Sequence, residues 1–231
     1  SLPKKLSVLE YNNRNRLPQP LTGFMPASIY LPVTSCLKRC YNLPMEITLR
    51  DLITVLHGMG FGALFLLAFS GAVAEMYRMS SPAASAPSSR GKTMLYLYLG
   101  AMVILAWAAV LSGTYLAYPW YRAAPPAGIT DLAMYPRYLL LSSPTTAQWH
   151  NFGMEWKEHV GWLAPIAMTM VAYVYGKYGR VLAYQRQIRL AAFVFVVVAF
   201  VATAIAGAFG AFLNKYAPVR GGPTIQIMQS K

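Results

Sequence analysis

Residues 190–213 read LAAFVFVVVAFVATAIAGAFGAFL, twenty-four consecutive positions without a charged side chain. A hydrocarbon core about 30 Å thick is crossed by about 20 apolar residues in helical form. Three other blocks have the same character, at about 52–76, 94–118 and 159–175. In lipid every backbone polar group must be satisfied internally, and blocks this long and uniform are too long for barrel strands, so they must be helices. The expected fold is an all-α integral membrane protein. An extended tail (1–50) precedes a four-transmembrane-helix bundle (51–215), which ends in a short tail (216–231), and a long aromatic loop separates spans two and three.

Composition agrees. The chain has 231 residues, of which 56% are hydrophobic and 12% charged, against about 25% charged in an average soluble domain. The formal charge of +13 comes from 20 basic and 7 acidic residues. The basic residues sit in tails and loops beside apolar blocks, which fits lipid headgroups or an acidic partner subunit better than nucleic acid. Cys36 and Cys40 are the two cysteines. They lack the Cys-x-x-Cys-His spacing of covalent haem attachment, and either a small disulfide or two idle thiols remains open. The first fifty residues contain no apolar stretch of signal-peptide type.

The short connections, 77–93 and 176–189, are basic, with Arg90, Lys92, Lys177, Arg180, Arg186 and Arg189. The positive-inside rule places both in the cytoplasm of a bacterial inner membrane or a similar energy-transducing membrane. Against this stand Lys4, Lys5, Arg14, Arg16, Lys38, Arg39 and Arg50 in the tail that would lie outside. In the long loop, Tyr115, Tyr118, Trp120 and Tyr121 form an interfacial aromatic belt. Ser143 and Pro144 read as N-cap and first helical residue. The third helix is therefore expected to begin before the bilayer, run in as one piece and bend at Pro165. Residues 1–41 read as an extended strap over a neighbouring surface.

The histidines are His57, His150 and His159. His57 stands inside the first span, where an ionisable side chain is costly and marks a functional site by default. His159 opens the third span. Spans one and three start at the membrane face where spans two and four finish, so the two imidazoles share a depth. Gly60, Gly113 and Gly207 would surround them with small residues, with Gly58, Gly62 and Gly210 nearby. Two neutral imidazoles can ligate a haem iron axially, and small residues admit the macrocycle. His150 lies half a turn out of phase with His159 and points elsewhere, as a residue that orients a ligand or relays protons, a surface site or a solvated residue. Glu155 and His159 are spaced i, i+4, so the carboxylate would orient the imidazole, relay protons, or form an incidental surface pair.

Span number and the His57/His159 placement resemble the four-helix membrane b-type cytochromes over about 52–213. The resemblance implies one haem b between His57 and His159 as the metal ligands, with electrons exchanged with quinone and with partner subunits of a membrane complex. The substrate-turnover site would then lie on another chain. Three other readings stand beside it: a cofactor-free accessory subunit of a respiratory or photosynthetic complex, a chlorin-binding subunit with His57 as lone ligand, and, more remotely, a transporter. Ordinary helix packing explains small residues in spans equally well. There is no phosphate-binding glycine loop, nucleophile elbow or zinc spacing.

Overall fold

The computed structural model describes residues 45–80, 89–182 and 184–228. The proposed strap with Cys36 and Cys40, and residues 81–88 of the first connection, lie outside the described residues.

Strand β1 (Met45–Thr48) leads directly into helix α1, residues 49–80. Thr48 caps α1: its Oγ1 accepts the Asp51 N–H at 3.2 Å and donates to the Asp51 carboxylate at 2.6 Å. This satisfies an otherwise orphaned donor and places a negative charge at the helix start. Helix α2 covers 89–122. A short α3 (Pro136–Leu141) lies in the long connection. Helix α4 runs over 144–182 and α5 over Arg186–Tyr216. Strand β2 (Thr224–Met228) returns to pair antiparallel with β1, Glu46 facing Gln226 and Thr48 facing Thr224. Gly221 and Gly222, with φ of +96° and +91°, turn the chain before β2 in a conformation that suits glycine. The ladder was not expected: residues 45–48 and 224–228 fall in the two regions read as tails.

Helix α1 packs on α2 and α5, and α4 packs on the same two, so α1 and α4 face each other across the diagonal of a four-helix ring. The core is rich in alanine and methionine, with Ala72, Met102, Met168, Val171 and Ala199 at 0–1% exposure. Small side chains let helices approach closely where no hydrophobic effect drives association. Polar and aromatic contacts tie the pairs: Trp107 donates to Thr169 at 2.9 Å between α2 and α4. Phe69 stacks on Phe200 at 4.1 Å between α1 and α5.

Three segments, Leu49–Arg78, Arg90–Arg122 and Arg186–Tyr216, are long and apolar enough to cross a membrane. They contain the predicted blocks 52–76, 94–118 and 190–213 and extend beyond them by two to four residues at each end. Their terminal arginines can snorkel to the interface and so continue the helix past the hydrocarbon. The predicted block 159–175 is not among these segments. Its helical part, Leu163–Leu182, carries Lys177 and Arg180 in its last third, so the apolar window is short.

The Ser143–Pro144 start of α4 is as expected: Ser143 Oγ accepts the Thr145 N–H at 3.4 Å. The helix is continuous but not uniform. It turns π-helical at Trp149–Met154 and tightens to a 3-10 turn at Val160–Trp162. Pro165 has no N–H to offer the carbonyl one turn earlier, at Gly161, so the irregular turn falls there.

Candidate functional site

Helices α1 and α2 also contain π-helical stretches, at Leu56–Ala63 and Gly113–Ala117. All three π segments belong to the same end of the bundle, where α1 and α4 begin and α2 finishes. Each contains glycine, whose weak helix preference lowers the cost of the wider turn. Such bulges occur often at functional sites.

His57 sits in the first of them. Its Nδ1 lies 2.8 Å from the Ala109 carbonyl and 3.2 Å from Ser112 Oγ on α2. A carbonyl only accepts, so Nδ1 carries the proton and the neutral ring keeps its lone pair on Nε2. The ring is seated on Gly113: a Cβ there would be 2.6 Å from His57 Cε1 and 3.2 Å from Nδ1. Gly113 therefore makes room for the imidazole itself. A Cβ on Gly60 would stand 3.5 Å from Leu56 of its own helix, and one on Gly207 would meet nothing within 4 Å.

The side chain of α4 that enters this layer is Lys157. Its Nζ lies 2.9 Å from where a Cβ on Gly210 of α5 would stand. Burial holds the ammonium down to about 8 from its ordinary 10.5. No acceptor or ion pair reaches it among the described residues. One position away, the buried Trp156 Nε1 also has no acceptor. Two close approaches thus lie at this end of the bundle, His57 against Gly113 between α1 and α2 and Lys157 against Gly210 between α4 and α5. Sequence reading singled out the histidines and passed over Lys157. The available signal was its i, i+4 spacing from Gly153, where a Cβ would stand 3.1 Å from the Phe209 ring of α5.

His159 is two positions from Lys157, about 200° around the helix, and its side chain is 73% exposed. No described contact joins it to His57. Its Nδ1 is 3.0 Å from the Glu155 carbonyl oxygen and 3.5 Å from the Glu155 carboxylate, itself 57% exposed. The expected i, i+4 pair therefore forms at the surface, where such pairs add little stability. As at His57, the carbonyl contact leaves Nε2 free.

His150 belongs to a separate polar group. Its Nδ1 meets the buried Tyr121 hydroxyl at 2.8 Å. Burial and then the Arg137 guanidinium lower its affinity for a proton. Beside it, Trp149 stacks on Phe212 at 4.6 Å, clamping the start of α4 to the end of α5. Among the described residues no three His, Cys, Asp or Glu side chains converge as a metal site. The chain matches no protein-family model, and no curated protein or solved structure is significantly similar to it.

Proposed function

We propose that this chain is a membrane b-type cytochrome-like subunit of a multi-subunit electron-transfer complex, holding one haem b at His57. The observation that carries the reading is the His57 imidazole, anchored through Nδ1 to a backbone carbonyl with Nε2 free. This is how metal-binding histidines are held: the second nitrogen donates to a carbonyl, which fixes the tautomer and raises ligand basicity. The donor chemistry of a neutral imidazole with a free Nε2 suits a ferrous or ferric porphyrin. When bound, haem would supply one-electron chemistry. The chain's own part would be to orient the imidazole, keep it neutral and wall off water with α2 and α5. His159, with its own free Nε2, is the candidate second ligand, and its exposure means that ligation needs a haem reaching the outer face of α4. Quinone and partner subunits would exchange electrons at this end of the bundle.

A four-span topology belongs to the same proposal. Strand β1 precedes the first span and β2 follows the last, and the two pair in one ladder. Ends that share a face require an even number of crossings, so α4 would be the fourth helix through the bilayer. The basic connections would then face the cytoplasm.

A cofactor-free accessory subunit is the second reading, favoured by α1, whose most apolar window is almost wholly turned outward, as a surface for neighbours would be. A reduced-minus-oxidised visible spectrum of the purified protein decides between them. The cytochrome reading expects a sharp haem band, lost in His57→Leu. A spectrum of six-coordinate type that becomes five-coordinate in His159→Leu would place both histidines on iron. A flat spectrum from folded protein would leave the accessory subunit, and a red chlorin band would point to pigment.

A further inference from the structure

We propose that the groove between α4 and α5 holds an acyl chain of an anionic phospholipid whose phosphate rests against Lys177 and Arg189. The groove has a floor of buried Val171 and Ala192 and walls of Met170, Val174, Ile188 and Phe195. Every side chain that lines it is apolar. At about 180 Å³ it is smaller than the roughly 300–1,000 Å³ of small-molecule pockets, so a slender chain suits it and a ring system does not. Met170, Ile188 and Phe195 remain 41–45% exposed, so the groove is open along its outer side. On the four-span topology proposed above, that side faces hydrocarbon.

One end of the groove is charged. Helix α4 finishes and α5 begins there, and the connection 176–189 contains Lys177, Arg180, Arg186 and Arg189 with no acidic residue. Residues three apart share a helix face. Lys177 lies three positions beyond Val174, and Arg189 three before Ala192, so both continue the lining at that end. Arg189 donates to the Leu182 carbonyl at 2.7 Å, which holds its guanidinium beside the end of α4. Lys177 is exposed, donates to the Tyr173 hydroxyl at 2.9 Å and lies 5.4 Å from the centres of the Tyr173 and Tyr178 rings. No described carboxylate pairs with it. The groove thus joins a cationic end to an apolar length, the complement of a phosphate head and a hydrocarbon tail. Basic pockets between membrane helices take acidic headgroups in this way. From Ile188 to Phe195 the wall is about 10 Å long, enough for the first part of an acyl chain. An acidic protein would match the charges but not the apolar length, so the lipid is the better occupant. The site is at the opposite end of the bundle from His57 and depends on no cofactor there.

The test is titration of the full-length protein in non-ionic detergent with phosphatidylglycerol and with phosphatidylcholine of identical chains. Binding is read as the rise in unfolding temperature, from which relative affinity follows. The unfolding curve of each variant without lipid establishes that it folds. Wild type should bind phosphatidylglycerol more tightly than phosphatidylcholine. Lys177→Gln should reduce that preference about fivefold, the factor expected for one cation beside an anionic surface. Lys92→Gln, which removes an exposed cation from the other connection, should leave it unchanged. Ala191→Phe, which fills the groove from its outer side, should weaken both lipids. Equal affinity of wild type for the two lipids would overturn the proposal and leave an acidic partner protein as the match for these charges. An effect of Lys177→Gln no larger than that of Lys92→Gln would overturn it too, because the attraction would then be diffuse surface charge. Undiminished binding by Ala191→Phe would do the same, since the head would then be held without its chain.

Discussion

Replacing Gly113 with alanine tests whether the His57 ring is seated where the structure puts it. The new Cβ would stand 2.6 Å from Cε1, whereas carbon atoms rest at about 3.5–4.0 Å. The ring must then retreat by about 1 Å. The Nδ1–carbonyl bond, now 2.8 Å, passes beyond the roughly 3.2 Å limit of such bonds. Its loss costs about 0.5–1.5 kcal/mol, and forcing a methyl group into a packed site costs about 1–3 kcal/mol. Alanine's better helix preference returns about 1 kcal/mol. The balance is a destabilisation of about 0.5–3.5 kcal/mol. Gly207→Ala is the control, since nothing lies within 4 Å of its Cβ, and it should be neutral or gain up to about 1 kcal/mol. Both are read by equilibrium unfolding in one detergent. Equal stability of the two variants would refute the seating of His57 on α2.

Two pH responses follow from the buried groups. Lys157 binds its proton less tightly folded than unfolded, so its burial opposes folding fully below pH 8 and ceases to do so above about 10.5. Lys157→Met should therefore stabilise the ligand-free protein at pH 7 by no more than about 3 kcal/mol, with the gain vanishing as the pH rises through that window. Unfolding curves at pH 7 and 10.5 check this, and a gain independent of pH would contradict it. His150 is likewise lowered, by burial first and Arg137 second. Its unfolded form takes up the proton first as pH falls below 6.5, so stability declines there. His150→Gln should flatten that part of the stability–pH curve, and an unchanged slope in the variant would remove His150 as its source.

Much of the architecture is legible in the apolar blocks, because lipid leaves the backbone so few options. Residues 190–213 locate α5, and the shortfall at each end reflects Arg186 and Tyr216, polar-tipped residues that extend a helix beyond its hydrocarbon-crossing part. Ser143–Pro144 marks the start of α4 because capping is local chemistry. The block 159–175 carries less weight, since Lys177 ends it early. The π segments are signalled only by clustered glycine, which also serves close packing. The ladder is hidden for another reason: Thr-Ile-Gln-Ile-Met alternates like a strand, but alternation says nothing of where the partner lies. At the site, His57 approaches Gly113 of α2, while Lys157 of α4 approaches Gly210 of α5. A two-residue difference in helical phase then decided that Lys157, not His159, turns inward.

The ladder between β1 and β2 has a consequence for how the protein is made. Glu46 and Gln226 are 180 positions apart, and closing a loop of that length costs about 4–5 kcal/mol. Strands of 4 and 5 residues, one pair deep, do not recover that by themselves. The ladder can close only after the helices have drawn its ends together, and β2 emerges only after α5 has been threaded. It is thus a latch that shuts once insertion is finished. On the four-span topology proposed above, a chain stalled with one helix unthreaded would leave both strands unpaired and on opposite sides of the bilayer, a difference that quality-control proteases are able to read.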